Sequence, residues 1–281
     1  MAPLYHKALI IGATSGIGQA LAAKLHDEGT SVIVTGRRQD RLDAFVASRP
    51  TRSSAAVVDI TQLASLPSFA SGILRQHPDI DCVVLNAGIQ RPFDFSRPET
   101  VDLAQFTEEF TTNYVAFVHL AAAFIPHLQK LSKEGEGSEK KAHLVFVSTS
   151  LALVPTLVRA PGYNASKAAL HSWITNLRQQ LLDAGFPGLK VTEIFPPAVK
   201  TELHDTAHQP DLVNGGELGM PLDAFTEAMW AGLVRGDEQF AVGFAQEWVT
   251  DGFEAERTRL FQQGQVQIKA AISKFLKSNQ Q

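Results

Sequence analysis

A short apolar run that passes directly into a glycine-rich turn constrains the fold of this 281-residue chain most strongly. The run covers residues 7–11. The glycine turn, residues 12–18, has the pattern G-x-x-x-G-x-G, and a helical pattern follows over residues 19–28. Glycines in such a turn let backbone approach a pyrophosphate, and the N-terminus of the next helix offers it free N–H groups. This opening is typical of a dinucleotide-binding unit, although a glycine turn alone can be purely structural.

Apolar runs and helical patterns continue to alternate along the chain. The apolar runs are nearly continuous, as expected for strands that are buried on both faces of a sheet. Predicted strands cover residues 7–11, 31–35, 55–60, 80–85, 145–150, 189–195 and 239–244. Predicted helices cover residues 19–28, 38–48, 62–76, 103–131, 161–185, 221–235 and 253–277. The alternation predicts an α/β fold, a Rossmann-type doubly wound parallel sheet of about seven strands with helices on both faces.

No linker interrupts this alternation, so residues 1–281 are predicted to form one domain. A cofactor-binding half would cover about residues 1–150, a catalytic and substrate-binding half about 150–250, and a helical tail about 253–278. Ligands of doubly wound sheets bind at the carboxyl ends of the strands. Residues 202–220, rich in Gly, His, Pro and Asp, are expected to form a mobile covering loop over that edge, and residues 133–141 a solvent-exposed loop.

The residues at the ends of three predicted strands bear on which dinucleotide binds. Gly36, Arg37 and Arg38 follow the second strand and leave no carboxylate to take a ribose 2′-hydroxyl. Arginine at this point accommodates a 2′-phosphate, so NADP(H) is favoured over NAD(H), although both arginines could instead be solvated at a helix start. Asp59 of the third strand could reach an adenine amino group, and residues 86–88 (Asn-Ala-Gly) follow the fourth strand.

A tyrosine and a lysine four residues apart lie near the start of the helix predicted at 161–185. Tyr163 and Lys167 share one helix face because a single turn separates them. An ammonium held beside a phenol lowers the phenol pKa from about 10, as a general acid/base for alcohol and carbonyl chemistry requires. Ser150, at the end of the preceding strand, could hold a substrate oxygen. A solvated surface pair is the alternative explanation of this spacing.

Composition narrows the classes of partner. A formal net charge of −4 gives no reason to expect nucleic acid or an anionic membrane surface. The single cysteine, Cys82, is interpreted as a small core residue and fits a reducing compartment. The N-terminus lacks a signal-peptide pattern, no apolar run reaches the roughly 18 residues of a membrane span, and the C-terminus carries no targeting address. A cytoplasmic protein is therefore expected.

Two other kinds of site are less well supported by the sequence. His204 and His208 are four residues apart but lack the glutamate of the zinc-protease motif, so a surface loop is favoured and no metal site is predicted. Ser150 with a histidine and Asp205 could form a hydrolase triad, but no glycine-flanked elbow surrounds Ser150.

Taken together, these motifs make the chain resemble the short-chain dehydrogenase/reductase family in its compact single-domain form. The matching residues occur in the family's order, and the spacing between Ser150 and Tyr163 fits its pattern. They are Gly12, Gly16, Gly18, Asp59, Asn86, Ala87, Gly88, Asn113, Ser150, Tyr163, Lys167, Pro196, Val199 and Thr201. Residues 88–92, 196–199 and 220–223 also resemble the DltE-like subgroup.

The resemblance implies a role for each of these residues around a nicotinamide nucleotide. Tyr163 would exchange a proton with the substrate oxygen, Lys167 would lower the pKa of Tyr163 and hold the nicotinamide ribose, and Ser150 would orient the oxygen. Asn113 would anchor a water that continues the proton path. The implied cofactor-binding residues are Gly12, Thr14, Ser15, Gly16, Ile17, Gly18, Arg37, Arg38, Asp59, Ile60, Asn86, Ala87, Gly88, Tyr163, Lys167, Pro196, Val199 and Thr201.

Three positions depart from the residues usual in the family. Ile11 and Leu85 replace a common threonine and a common asparagine, which alters turn bonding without removing the cofactor site. Pro197 replaces the usual glycine after Pro196 and stiffens the loop beside the nicotinamide.

The predicted function is that of an NADP-dependent oxidoreductase acting on a carbonyl or alcohol carbon of a small or medium apolar substrate, with reduction as the physiological direction. Apolar residues within 151–158 could line its pocket or belong to the core. A catalytically weak NADP(H)-binding scaffold or redox sensor is the alternative from another class. An epimerase or dehydratase with bound NAD conflicts with Arg37 and Arg38. The helices at 103–131 and 161–185 suggest, by analogy with the family, a homodimer or homotetramer.

Overall fold

Parallel pairing of successive strands builds the central sheet. In the computed structural model, which describes residues 2–134 and 142–275, this sheet has seven strands in the order β3-β2-β1-β4-β5-β6-β7. They are Lys7–Ile11 (β1), Ser31–Gly36 (β2), Ser53–Val57 (β3), Cys82–Leu85 (β4), Ala142–Val147 (β5), Leu189–Phe195 (β6) and Gln239–Ala241 (β7). The order reverses between β1 and β4, which opens the crevice where doubly wound folds bind ligands. The predicted fold class is confirmed.

Helices connect the strands and cover both faces of the sheet. They are Gly16–Asp27 (α1), Gln39–Ser48 (α2), Leu66–Gln76 (α3), Leu103–Phe110 (α4), Ala116–Glu134 (α5), Pro161–Asp183 (α6), Leu222–Arg235 (α7), Gln246–Thr250 (α8) and Phe253–Ile272 (α9). None of the helices in the described residues has both the length and the hydropathy of a membrane span.

Alternate residues of a single strand enter two separate cores. On β1, Leu9 and Ile11 pack with residues of α3, α5 and α6, whereas Ala8 and Ile10 pack with residues of α1, α2 and α7. Successive side chains of a strand point to opposite faces, so an uninterrupted apolar run fills both layers. Cys82 of β4 is fully buried in the second core, in agreement with its interpretation as a core residue.

The edge strand β3 begins and ends earlier than predicted. It pairs with β2 from Ser53 to Val57, so Asp59 lies two residues beyond the strand instead of at its end. Val58 and Ile60 are buried although they lie outside the strand, because the chain there turns into the core beside α3. The apolar character of Val58 and Ile60 therefore indicates burial and not membership of a strand.

β5 covers Ala142–Val147 and thus begins and ends three residues earlier than the predicted 145–150. Two other elements differ in kind from the prediction. The helix predicted over residues 103–131 is interrupted by a π turn, Thr111–Val115, between α4 and α5. The last predicted strand, 239–244, is shorter because Gly243, with φ +78°, starts a 3₁₀ turn that leads into the unpredicted α8. The covering loop is irregular apart from short 3₁₀ turns, as expected. Residues 135–141 and 276–281 of the predicted loop and tail lie outside the described residues.

Candidate active site

A cavity of about 720 Å³ runs along the carboxyl ends of β1 to β6. Its volume lies within the roughly 300–1,000 Å³ of small-molecule sites. The predicted site residues that line it are Gly12, Thr14, Ser15, Gly16, Ile17, Arg37, Arg38, Asp59, Ile60, Asn86, Ala87, Gly88, Ser150, Tyr163, Lys167, Pro196, Val199 and Thr201. Gly18 and Asn113 do not line the cavity, although Ile17, next to Gly18, and Ile89, which hydrogen bonds to Asn113, do line it.

The glycine turn after β1 is shaped by positive φ angles and by close packing on the turn after β4. Gly12 has φ +86° and Gly16 has φ +55°, in the region that favours glycine. A Cβ at Gly12 would lie 2.6 Å from the Ala87 Cα, and a Cβ at Gly18 would lie 2.4 Å from the Asn86 Nδ2. The glycines therefore let the turn pack closely on the turn after β4 and form a cradle at the N-terminus of α1. Such a cradle fits a pyrophosphate.

Arg38 ties the turn after β2 to the glycine turn. Its Nη2 donates to the Thr14 Oγ1 and to the Ser15 Oγ, each at 2.7 Å. Its Nη1 donates to the Glu202 carboxylate, also at 2.7 Å. Arg37 is exposed at the rim of the cavity. Guanidinium and hydroxyl donors that converge in this way are suited to an oxyanion.

Asp59 closes the cavity beyond β3. Its Oδ1 accepts hydrogen bonds from the Thr61 N–H at 3.0 Å and from the Thr61 hydroxyl at 2.8 Å. The carboxylate therefore shapes its own turn, and a contact between Asp59 and an adenine amino group stays a prediction.

Tyr163 and Lys167 lie on the buried face of α6. Their exposed fractions are 6% and 2%, which excludes a solvated surface pair. The Lys167 Nζ donates to the Val147 carbonyl at the end of β5, at 3.0 Å, and lies 5.9 Å from the centre of the Tyr163 ring. Pro161, whose fixed φ suits the first position of a helix, starts α6 beside the cavity. The helix start thus places both side chains at the carboxyl end of β5.

The structure contradicts the expected low pKa of Tyr163. Burial raises this pKa well above the usual value, although a hydrogen bond with Thr149 lowers it, and the nearby Glu109 raises it further. Burial also lowers the pKa of Lys167 to about 8, against the opposing effect of the Glu193 carboxylate. Both groups are desolvated, and the helical spacing alone did not reveal this burial.

Ser150 lies beyond the end of β5 and begins a 3₁₀ turn, so it is not the last residue of the strand. Its N–H donates to the Pro196 carbonyl at 3.0 Å, which fixes this turn against the loop after β6. Ser150 and Tyr163 line the same cavity. This placement suits a hydroxyl that orients a substrate oxygen. Thr149, which lines the cavity and hydrogen bonds to Tyr163, was not predicted.

Asn113 is fully buried in the π turn between α4 and α5. Its Oδ1 accepts from the Ile89 N–H at 2.9 Å, and its Nδ2 donates to the Ile89 carbonyl at 2.9 Å and to the Ser166 Oγ at 3.2 Å. The side chain therefore holds the loop after β4 against α6. Its predicted role in anchoring a water stays a prediction.

The sequence analysis did not predict a buried cluster of ionisable residues near Lys167, which the Glu193 carboxylate influences electrostatically. The His171 Nδ1 lies 2.8 Å from the Glu193 Oε2, and its Nε2 lies 3.2 Å from the Glu254 Oε1. Glu254 also accepts from the Arg257 Nε at 2.7 Å. A glutamate inside the apolar β6 and a histidine one turn after Lys167 were the signals that could have revealed it.

Glu109 was also missed, and it lies beside the N-terminus of α6. It is fully buried, and neither carboxyl oxygen has a hydrogen-bond partner among the described residues. Burial raises the pKa of this carboxyl group to about 7. A Cβ at Gly162 would lie 2.6 Å from the Glu109 Oε1, so a larger residue would clash there. An acidic residue one turn before Asn113 on the same helix face was the available signal.

The other end of the cavity combines apolar and polar side chains. Leu151 and Leu157 line it, whereas Val158 is 83% exposed and does not. The fully buried Gln209 donates to the Gln90 Oε1 at 2.7 Å and so attaches the covering loop to the loop after β4. The predicted apolar lining is therefore only part of the wall.

The two histidines of the covering loop have different partners. The His204 Nδ1 lies 3.2 Å from the Gln209 Nε2, and the His208 Nδ1 lies 2.7 Å from the Asp205 Oδ1. Within residues 2–134 and 142–275, no group of three or more His, Cys, Asp and Glu side chains could hold a metal ion.

Comparison with known proteins agrees with this geometry. Residues 6–211 match the short chain dehydrogenase family. The chain belongs to this family. It is therefore an NAD(P)-dependent oxidoreductase, and the predicted family and enzyme class are confirmed. The matched residues include the cavity from the glycine turn to Gln209 and end within the covering loop of this dehydrogenase.

Individual relatives extend the likeness to nearly the whole dehydrogenase. The uncharacterized oxidoreductase DltE of Bacillus subtilis (strain 168) is 33% identical over 257 residues, which cover 91% of this chain and 94% of that protein. A short-chain dehydrogenase from Sphingobium yanoikuyae in complex with NADPH has a TM-score of 0.75 at 23% identity, over 91% of this chain and 95% of that one. A 3-ketoacyl-(acyl-carrier-protein) reductase from Brucella melitensis complexed with NADH has a TM-score of 0.71 at 23% identity, over 85% and 97%.

Proposed function

We propose that this dehydrogenase transfers a hydride between C4 of NADP(H) and a carbonyl or alcohol carbon, with Tyr163 as the general acid/base. One juxtaposition carries the proposal: Tyr163, Lys167 and Ser150 line the same cavity as the glycine turn. The nicotinamide would supply the carbon that carries the hydride, whereas the protein supplies position and electrostatics.

Each of the three side chains would have a separate task. The Tyr163 hydroxyl would donate its proton to the substrate oxygen in reduction and take it back in oxidation. The Ser150 hydroxyl would donate a hydrogen bond to that oxygen and orient it. The Lys167 ammonium would stabilise the tyrosinate, because opposite charges attract strongly where water is excluded.

The residues around the cavity support a nicotinamide nucleotide with a 2′-phosphate. The glycine turn and the N-terminus of α1 would hold its pyrophosphate. Arg37 and Arg38 follow β2 where an NAD-binding protein would present a carboxylate, which supports NADP(H) over NAD(H). The loop that contains Pro196, Val199 and Thr201 lines the cavity near Ser150 and would contact the nicotinamide end.

The substrate would be a small or medium ketone, aldehyde or alcohol. A cavity of about 720 Å³ must hold both nucleotide and substrate, which leaves limited room for the latter. Leu151, Leu157 and Phe244 supply the apolar part of its wall. A homodimer or homotetramer in the cytoplasm completes the proposal.

Titration of the purified protein with NADPH and NADH tests this assignment. Absorbance at the nicotinamide band would then be followed with a panel of ketones, aldehydes and quinones. Tighter binding of NADPH together with turnover of one panel member is the expected result. Failure to bind either nucleotide would overturn the proposal.

The deep burial of Tyr163 favours a second candidate, an NADP(H)-binding scaffold or redox sensor. A phenol whose pKa is raised by burial is a poorer proton donor than the chemistry prefers. Nucleotide binding without turnover of any carbonyl or alcohol, in wild type and Tyr163→Phe alike, would support this alternative.

A further inference from the structure

Glu202, at the start of the covering loop, contacts two arginines beside the glycine turn. The Arg38 Nη1 donates to the Glu202 Oε2 at 2.7 Å, and the Arg41 Nη1 contacts the Glu202 Oε1. Although partial burial raises the pKa of Glu202, hydrogen bonds from the two arginines lower it to about 2. The side chain is thus a carboxylate at any working pH.

The donors around this carboxylate are those that a phosphate would need. Arg38 also donates to the hydroxyls of Thr14 and Ser15, and Arg41 donates to the Thr14 carbonyl at 3.4 Å. Arg38 and Glu202 both line the cavity. Arginine forks bind carboxylate and phosphate oxygens with the same geometry, so the two anions would compete for one position.

We propose that Glu202 occupies the anion site that Arg38 and Arg41 offer to the 2′-phosphate of NADP(H), so that this phosphate displaces the Glu202 side chain from the two arginines. The inference rests on the proposed function, because it assumes that the cavity takes a nicotinamide nucleotide. It adds a residue that tunes the choice of nucleotide.

Other contacts of the covering loop show that displacement of Glu202 would be local. Gln209 donates to the Gln90 Oε1 at 2.7 Å and to the Leu203 carbonyl at 3.0 Å. Its Nε2 also lies 3.2 Å from the His204 Nδ1, and its Oε1 accepts a hydrogen bond from Arg159. These contacts do not involve Arg38 or Arg41. Loss of the Glu202 contacts would therefore free the Glu202 side chain and leave the residues that follow it anchored.

Fluorescence titrations of NADPH and NADH into wild type and Glu202→Gln test the competition. Glutamine keeps the size of the side chain and removes the charge that must be displaced. Because partly exposed ion pairs contribute little each, we expect a roughly three- to tenfold lower Kd for NADPH and an unchanged Kd for NADH. Glu217→Gln is the matched control, since Glu217 lies in the same loop but pairs with Lys200 at 2.8 Å.

Titration of 2′,5′-ADP and 5′-ADP tests the competition without the nicotinamide half of the cofactor. In Glu202→Gln, the Kd for 2′,5′-ADP should fall roughly three- to tenfold, whereas the Kd for 5′-ADP should not change. An equal fall for both ligands would show that Glu202 does not compete with the 2′-phosphate.

An unchanged or raised Kd for NADPH in Glu202→Gln would overturn this inference alone, because it would show that Glu202 does not compete with the phosphate. Absence of any nucleotide binding by the wild type would instead overturn the proposed function on which the inference rests. The two failures are therefore distinguishable.

Discussion

Burial shifts the pKa values of Tyr163 and Lys167 more than their spacing along the helix does. The Lys167 ammonium is desolvated enough for its pKa to fall to about 8, and the Glu193 carboxylate partly restores it. A protein interior penalises charged forms, so a buried ammonium keeps its charge best where a carboxylate is near. The charge of Lys167 thus depends on a carboxylate that does not line the cavity.

Tyr163→Phe should abolish turnover and leave nucleotide binding nearly intact. The substitution removes the only atom of the side chain that exchanges a proton, whereas the ring still fills its buried position. We expect a loss of at least about 100-fold in kcat, measured with whichever panel substrate is turned over. Tyr114→Phe is the control, because Tyr114 packs against Phe110 outside the cavity. Retained turnover in the Tyr163 variant would contradict the assignment.

Glu109→Gln should stabilise the protein at alkaline pH relative to acidic pH. Folding raises the pKa of Glu109 from 4.5 to about 7. A raised carboxyl pKa means that its contribution to stability is fully present below pH 4.5 and is lost as the pH rises through 7. By linkage, the ionised group costs on the order of 3 kcal/mol above that range.

Urea unfolding of wild type and Glu109→Gln at pH 4.5 and pH 8 measures this difference. Glutamine cannot ionise, so the variant should gain stability relative to wild type between the two pH values. Glu109→Asp keeps an ionisable carboxyl group and should retain the pH dependence. An equal difference between wild type and the glutamine variant at both pH values would rule out titration of Glu109.

At the scale of elements, the sequence predicted those strand and helix bounds that nearby residues determine. The bounds of β6 match the prediction because Pro196 and Pro197 stop the strand, and α6 starts at Pro161 for a similar reason. Most predicted site residues line one cavity because each follows a strand, and parallel strands bring their carboxyl ends to one edge. Contacts between distant segments, such as those of His171 with Glu193 and Glu254, could not be predicted, since no periodicity encodes them.

Gly12→Ala should disable the glycine turn. Its φ of +86° disfavours any side chain, and a Cβ would lie 2.6 Å from the Ala87 Cα. We expect a loss of about 1–3 kcal/mol in unfolding free energy and a marked loss of nucleotide affinity. Gly72→Ala is the control, because a Cβ there meets nothing within 4 Å and the residue lies inside α3. That variant should gain stability, by roughly 0.5–1 kcal/mol.

At the scale of the whole molecule, contacts between carboxylate and imidazole groups connect the C-terminal helix α9 to the sheet. Glu254 at the start of α9 is almost completely buried and meets His171 of α6, which in turn meets Glu193 of β6. The family match ends at residue 211, so this connection lies partly beyond the shared core. It holds the start of α9 against α6, the helix that carries Tyr163 and Lys167.

Glu254→Ala should be strongly destabilising. Removal of one member of a buried ionic cluster leaves the others without compensation, which typically costs about 3–5 kcal/mol. Equilibrium urea unfolding measures the loss. Glu256→Ala is the control on the same helix, because Glu256 pairs with Arg259 at the surface and its removal should produce no measurable change. Equal stabilities of the two variants would show that the cluster does not hold α9 in place.

The solitary thiol of Cys82, sealed inside the second core, makes the protein well suited to site-directed labelling. Burial raises the pKa of this thiol, so the thiolate that alkylating dyes attack is scarce. Val213, on the covering loop, is 91% exposed. A fluorophore attached through Val213→Cys would therefore report the position of the covering loop alone, and its emission could be followed in real time while nucleotides are mixed with the protein.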